Sequence, residues 1–105
     1  MNASSQQDMF PANLDDLLGA PEETRRLTAV SVGYSRISTP QDVIAILQPL
    51  EDWRRKEQSG RVLQELRGAT CMVLAHVGLM HDMDEETSGK ISGLRNSLLS
   101  RNDLN

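Results

Sequence analysis

Residues 68–80, with the sequence GATCMVLAHVGLM, are almost wholly apolar in a chain whose hydrophobic content is only 38%. A helix that is apolar nearly all round must be covered by its own fold, by a partner protein or by lipid. Lipid cannot cover this helix as a membrane span, because the stretch is too short and crossing a bilayer takes about 20 consecutive apolar residues. Here Arg67 precedes the stretch, and the mostly acidic residues 81–86 follow it. The stretch therefore predicts the buried centre of a helical protein.

The length and charge of the chain limit its number of domains and its partners. A chain of 105 residues supports one hydrophobic core and leaves little for a second. The net charge of −4 argues against a nucleic-acid partner, because phosphates require a basic surface. Cys71 is the only cysteine, so no intramolecular disulfide can form, and residues 1–10 resemble no signal peptide. We therefore predict a cytoplasmic protein that contacts neither nucleic acid nor membrane.

The first third of the chain predicts a disordered segment at residues 1–9, followed by one helical domain at residues 10–105. In residues 10–19, Asn13 is placed to cap a short amphipathic helix. Residues 22–36 follow a proline and begin with two glutamates, a typical helix start. Leu27, Val30 and Tyr34 then recur at helical spacing, which favours a helix. The alternation over residues 28–32 would also suit a strand, so that alternative stays open.

The rest of the chain predicts three further helices. Thr39, Pro40 and Asp42 form a strong helix start, and Pro49 predicts a kink within the helix that follows. The next helix is predicted from about Arg61 to Met83, roughly 35 Å long, and the last continues to Arg101. The helix that begins after Thr39 has an apolar stripe of Val43, Ile46, Leu47, Leu50 and Trp53. The last helix has an apolar stripe of Ile91, Leu94, Leu98 and Leu99. The predicted fold is all-α, with four to five helices and one long central helix.

Two apolar arcs lie on the predicted central helix when each residue advances about 100°. The first, a core or dimer face, comprises Val62, Leu66, Ala69, Val73, Val77 and Met80. The second, a partner-binding face, comprises Met72, Ala75, His76, Leu79 and Met83. Either both arcs belong to the core, or one serves the fold and the other a protein partner or a homodimer seam. We favour the second alternative and expect a homodimer, while the roles of the two arcs stay open.

No pattern in the sequence predicts enzymatic chemistry. His76 and His81 are five residues apart, which is not the spacing that lets two imidazoles on one helix share a metal. Cys71 has no histidine one turn away and has apolar neighbours, so burial is expected to make its thiol unreactive. Residues 89–93 contain glycines and a lysine but lack the order of a phosphate loop. We therefore predict no catalytic, cofactor-binding or metal-binding residues.

An acidic helical chain of this size, with a hydrophobic central helix and no recognisable chemistry, resembles the QslA-type small antiactivators of bacterial quorum sensing. The resemblance covers the whole chain in length and layout, and residues 68–83 (GATCMVLAHVGLMHDM) are the segment that would carry binding. It implies a homodimer that binds the ligand-binding domain of a LuxR-type transcription activator, and that blocks dimerisation and DNA binding by the activator. The alternative is a helical secretion chaperone or structural subunit that covers an apolar surface of a partner protein.

Overall fold

The computed structural model describes residues 13–99, and this part of the chain forms five α-helices and one 3₁₀ turn, without strands. The helices are α1 (Leu14–Leu18), α2 (Glu22–Gly33), α3 (Pro40–Lys56), α4 (Gly60–Ala75) and α5 (Glu85–Leu98), and the 3₁₀ turn spans Val77–Leu79. The predicted all-α domain is confirmed. The predicted disordered segment 1–9 and the predicted end of the last helix at Arg101 lie outside the described residues.

Local capping signals fix where the helices begin. Asn13 accepts a hydrogen bond through Oδ1 from the backbone N–H of Asp15 at 2.9 Å, and so starts α1. Thr39 and Asp42 form a reciprocal pair at the start of α3, with distances of 3.1 and 3.0 Å. The backbone N–H groups of Ser38 and Thr39 donate to the Asp42 carboxylate and lower its pKa. These starts were predictable because each depends on residues within one turn.

The core lies where the four longer helices meet, with Leu17 of α1 added to it. Its main members are Ala29 and Val32 of α2, Val43, Leu47, Leu50 and Trp53 of α3, Val62, Leu66 and Val73 of α4, and Ile91 and Leu98 of α5. Helix α2 packs mainly on α4, and α3 packs on both α5 and α4. The predicted stripe of α3 is therefore confirmed as a core face, and Trp53 is completely buried within it.

Helices α2 and α4 run parallel in a constant register. Three contacts join residues that are 39 positions apart: Glu22 with Arg61, Arg26 with Glu65, and Gly33 with Met72. Because the residue numbers of the contacting pairs rise together along both helices, α2 and α4 point in the same direction. Helix α3 is the crossover connection between them. The approach is close, since a Cβ on Gly33 would lie only 3.2 Å from the Cα of Ala69.

Residues 22–33 are helical, which confirms the helix over the alternative of a strand, but the residues that recur at helical spacing do not form the buried side of α2. Leu27 and Tyr34 are exposed and Val30 is only half-buried, whereas Ala29, Val32 and Gly33 are buried. The physical reason is the close approach of α4. Small residues fit the seam between the two helices, while a leucine or tyrosine there would push the helices apart.

The predicted central helix from Arg61 to Met83 is also wrong, because α4 ends at Ala75 after 16 residues, about 24 Å. A 3₁₀ turn follows, and Asp82 then adopts a left-handed backbone with φ of 62°. Continuing the helix would place Gly78 in its interior, which costs about 1 kcal/mol relative to alanine. It would also place the acidic residues 82–86 at the negative end of the helix dipole. Instead Asp84 caps α5, accepting from the backbone N–H of Thr87 at 2.7 Å.

Candidate partner-binding surface

The first arc predicted on the central helix belongs to the core of a single chain. Val62, Leu66, Ala69 and Val73 are buried by the chain's own helices. Val77 and Met80 follow the end of α4, yet both are half-buried and pack against the same core. Four of these six side chains are therefore covered without a second copy of the protein.

The second arc, the predicted partner-binding face, does not form one helix face, because α4 ends within it. Met72 and Ala75 are exposed on α4, and His76 is the half-buried C-cap of that helix. Leu79 lies on the 3₁₀ turn and leaves 79% of its surface exposed to water. Met83 is separated from this group, since it packs against the core and lines a small pocket with Leu74, Val77 and Ile91.

One end of the α2–α4 pair gathers large apolar side chains that the described fold leaves exposed. Because the helices are parallel, their C-terminal ends lie together, and the Met72 thioether lies beside Gly33, the last residue of α2. Tyr34 follows directly and is 73% exposed. Leu79 lies in the turn that leaves the same end of α4. We call Tyr34, Met72, Ala75 and Leu79 the α2–α4 end surface.

Tyr34 was missing from the predicted partner-binding residues. The sequence placed it at helical spacing with Leu27 and Val30, and the parallel packing of α2 on α4 brings the residue before it, Gly33, to Met72. Tyr34 is the C-cap residue and lies beyond the last turn of α2, which accounts for its exposure. Helix periodicity alone could not reveal that position as a surface shared with residues 72–79.

The histidine, cysteine and acidic side chains of the described residues form no candidate metal site. Within residues 13–99, no group of three or more histidine, cysteine, aspartate or glutamate side chains could hold a metal ion. Cys71 is exposed, so the expectation that apolar neighbours bury its thiol was wrong. In the same part of the chain, no helix is both long and apolar enough to cross a membrane.

A buried carboxylate, Glu57, holds α2 against the connection between α3 and α4. Its oxygens accept from Arg25 Nε and Nη2 at 3.0 Å, from Trp53 Nε1 at 2.9 Å and from the backbone N–H of Ser59 at 3.1 Å. Burial alone would raise the pKa of Glu57, but these hydrogen bonds and the charge of Arg25 hold it below its ordinary value. The cluster supports the fold, and the sequence analysis missed it.

Comparison of the chain with models of known protein families, with curated proteins and with solved structures finds no match.

Proposed function

We propose that this protein is a regulator that binds another protein through the α2–α4 end surface. The observation that carries the proposal is Leu79, which is 79% exposed in the turn that follows α4, at the end of the helix pair where Met72 and Tyr34 are also exposed. Single exposed apolar residues are common, but several large ones gathered at one place are typical of protein-binding sites. Tyrosine and methionine are also enriched in such interfaces. Within the 3₁₀ turn, Gly78 and Leu79 are exposed and leave this edge of the surface open to a partner.

The specific form of the proposal is an antiactivator. In this account the protein binds the ligand-binding domain of a LuxR-type transcription activator and covers the surface through which the activator dimerises. The resemblance to small quorum-sensing antiactivators supports the identity of the partner. The net charge of −4 supports inhibition without contact to DNA, because an acidic protein is repelled by phosphates.

The proposal includes a homodimer. The resemblance to small antiactivators supports this part of the proposal, and Leu27, which is 50% exposed on α2, is a residue outside the α2–α4 end surface that a second copy would cover. Sedimentation equilibrium at tens of micromolar should give twice the mass of the 11.7 kDa chain. A clean monomer at that concentration would remove the dimer from the proposal and leave the partner surface untouched.

Leu79→Arg tests the partner surface. Charging a residue at the desolvated centre of an interface costs on the order of 2 kcal/mol or more, about thirtyfold in affinity. The variant should fail to capture the ligand-binding domain of a LuxR-type activator, while its circular-dichroism melt stays that of the wild type. Ala45→Arg is the matched control, because it adds the same charge at an exposed position of α3 and should bind normally.

A gel shift then tests the antiactivator function itself. Wild-type protein should reduce the binding of the activator to DNA without shifting DNA, and Leu79→Arg should not. Inhibition by Leu79→Arg at wild-type strength would show that the surface is wrongly assigned. A shift of bare DNA by the wild-type protein would contradict the proposed mechanism. Specific capture of a secreted effector instead of the activator would favour the alternative function, a secretion chaperone.

A further inference from the structure

The outer side of the α2–α4 pair is a single face that the described chain leaves open. Glu22, Arg26 and Gly33 mark the side of α2 that contacts α4. Because both helices are right-handed and parallel, residues one position later on α2, and one position before the partners on α4, turn to the same side. The opposite side, with Val32 and Leu66, is buried. We call the exposed or half-buried side the outer face, which comprises Leu27, Val30 and Tyr34 of α2, and Gln64, Gly68, Cys71 and Ala75 of α4.

The outer face is uncharged and large enough for a specific interface. None of these residues is charged, and Glu23 and Arg61 border the face where the two helices begin. Two helices about 10 Å apart, and about 18 and 24 Å long, present a footprint of roughly 20 by 20 Å. Two copies would together cover about 800 Å² of flat area, and the accessible surface of rounded helices is larger. The total therefore reaches the roughly 1,000 Å² that a specific interface needs.

The shape of the outer face is complementary to itself. Its α2 half is raised, because it carries large side chains, with Leu27 at 50% and Tyr34 at 73% exposure. Its α4 half is low, because glycine, cysteine and alanine form most of it. A two-fold axis parallel to the helices places the raised half of each copy over the low half of the other. Large side chains then fill the space that small ones leave, as close packing requires.

The register of the two helices determines which residues meet across such an axis. The axis keeps each residue at its own level, and a residue of α2 is level with the residue of α4 that follows 39 positions later. Leu27 therefore lies between Gln64 and Gly68 of the other copy. Glu23 comes beside Arg61 of the other copy, which adds an attraction to the ion pair that each makes within its own chain.

From the area, the self-complementary shape and the register of the outer face, we infer that a second copy of this chain binds it, with α2 of each copy over α4 of the other. The inference rests on the homodimer included in the function proposed above, and it assigns the seam of that dimer. Tyr34 and Ala75 belong both to this seam and to the α2–α4 end surface. Leu79 lies in the turn beyond α4 and stays open to a partner protein.

Cys71 reports on the seam without any substitution. Its thiol is exposed in the single chain and lies on the outer face, so a second copy should protect it from N-ethylmaleimide. At a hundredfold excess over the dissociation constant of the dimer, the reaction should be about tenfold slower than in dilute protein. A constant rate, where sedimentation shows a dimer, would overturn the inferred seam and leave the homodimer standing. A wild-type chain that stays monomeric would overturn both.

Gly68→Arg tests the centre of the seam. It should raise the dissociation constant of the dimer by about thirtyfold or more. The helical circular-dichroism melt should persist, because an added side chain meets open space in the single chain. Gly93→Arg is the matched control, since Gly93 is also an exposed helical glycine with open space around its Cβ, but lies on α5. The inference is overturned if Gly68→Arg dimerises like the wild type, or if Gly93→Arg weakens the dimer as much.

A mixture of two variants tests the arrangement of α2 over α4. Leu27→Glu alone should also weaken the dimer, because it places an unpaired charge at the seam. Equimolar Leu27→Glu and Gly68→Arg should form a heterodimer in sedimentation. Each heterodimer keeps one native half of the seam and brings the two opposite charges together in the other half. A mixture that dimerises no better than either variant alone would overturn the arrangement.

Discussion

Replacing Glu57 by glutamine changes the one buried carboxylate that joins three parts of the described fold. The side chain of Glu57 is 2% exposed and that of its partner Arg25 is 15% exposed. Glutamine keeps the size of the side chain and one acceptor oxygen. It removes the negative charge and directs an amide N–H₂ group at donors that need an acceptor. We therefore expect Glu57→Gln to destabilise the fold without creating a cavity.

The size of the effect follows from the exposure of the two partners. Removing one member of a fully buried ion pair costs about 3–5 kcal/mol, because the other charge is left uncompensated. Arg25 is less isolated than that, since its Nη1 also donates to the carbonyl of Ala20 and part of the side chain reaches water. We expect a loss of about 2 kcal/mol, which for a domain of this size lowers Tm by about 10 °C.

The effect should depend on pH in a defined direction. The folded state holds the pKa of Glu57 below its ordinary value of 4.5. The stabilisation is therefore fully present above pH 4.5 and is lost as the pH falls through the lower pKa of the folded state. The wild-type protein should lose its advantage over Glu57→Gln in that acidic range, and the difference between the two should stay constant near neutral pH.

Urea unfolding followed by the fluorescence of Trp53, the only tryptophan, measures both effects, with circular dichroism as a second probe. Glu23→Gln is the matched control, because it removes the same charge from an exposed ion pair with Arg26 and should change stability little. Equal free energies of unfolding for wild type and Glu57→Gln at neutral pH would refute the structural role. A difference that does not shrink in acid would refute the role of the charge.

Two further pairs of variants test the helix packing by urea unfolding. Gly68→Ala should stabilise the protein by about 0.5–1 kcal/mol, because the position is helical and an added Cβ meets open space; a loss of stability would contradict this. Gly33→Ala should destabilise it, because its Cβ would lie 3.2 Å from the Cα of Ala69, and a gain like that of Gly68→Ala would show that α2 and α4 are not tightly packed. Val73→Asp should unfold the protein, because Val73 is completely buried and a buried unpaired charge costs several kcal/mol. Leu79→Asp should keep the helical circular-dichroism signal, and equal collapse of both variants would assign Leu79 to the core.

The parts of the fold that sequence could predict are those set by neighbours in the chain. Thr39 and Asp42 cap α3 within a single turn, and the stripe from Val43 to Trp53 repeats on one helix face, so both were predictable. The end of α4 was harder to predict. The apolar pattern continues past Ala75, and the competing effects, Gly78 and the acidic residues 82–86, are each worth only about 1 kcal/mol or less.

The candidate site was only partly predictable because it depends on contacts between distant segments. Met72, Ala75 and Leu79 came from the periodicity of residues 61–83, and they are exposed. Tyr34 joins them through the register of α2 on α4, for which the sequence contains no local signal. Glu57 and Arg25 are 32 residues apart, so their pairing was equally invisible. Met83 was misplaced because the predicted helix ran past the true end of α4.

The parallel register of α2 and α4 also determines the order in which the chain can fold as it is synthesised. An antiparallel neighbour could cover the buried side of α2 after a short loop, but here the residues opposite it follow 39 positions later. Compared with a loop of about eight residues, closing this longer one costs about 1.4 kcal/mol more in chain entropy. While the ribosome makes α3, Val32 therefore has no covering helix. Most of the domain must leave the exit tunnel before its centre can close.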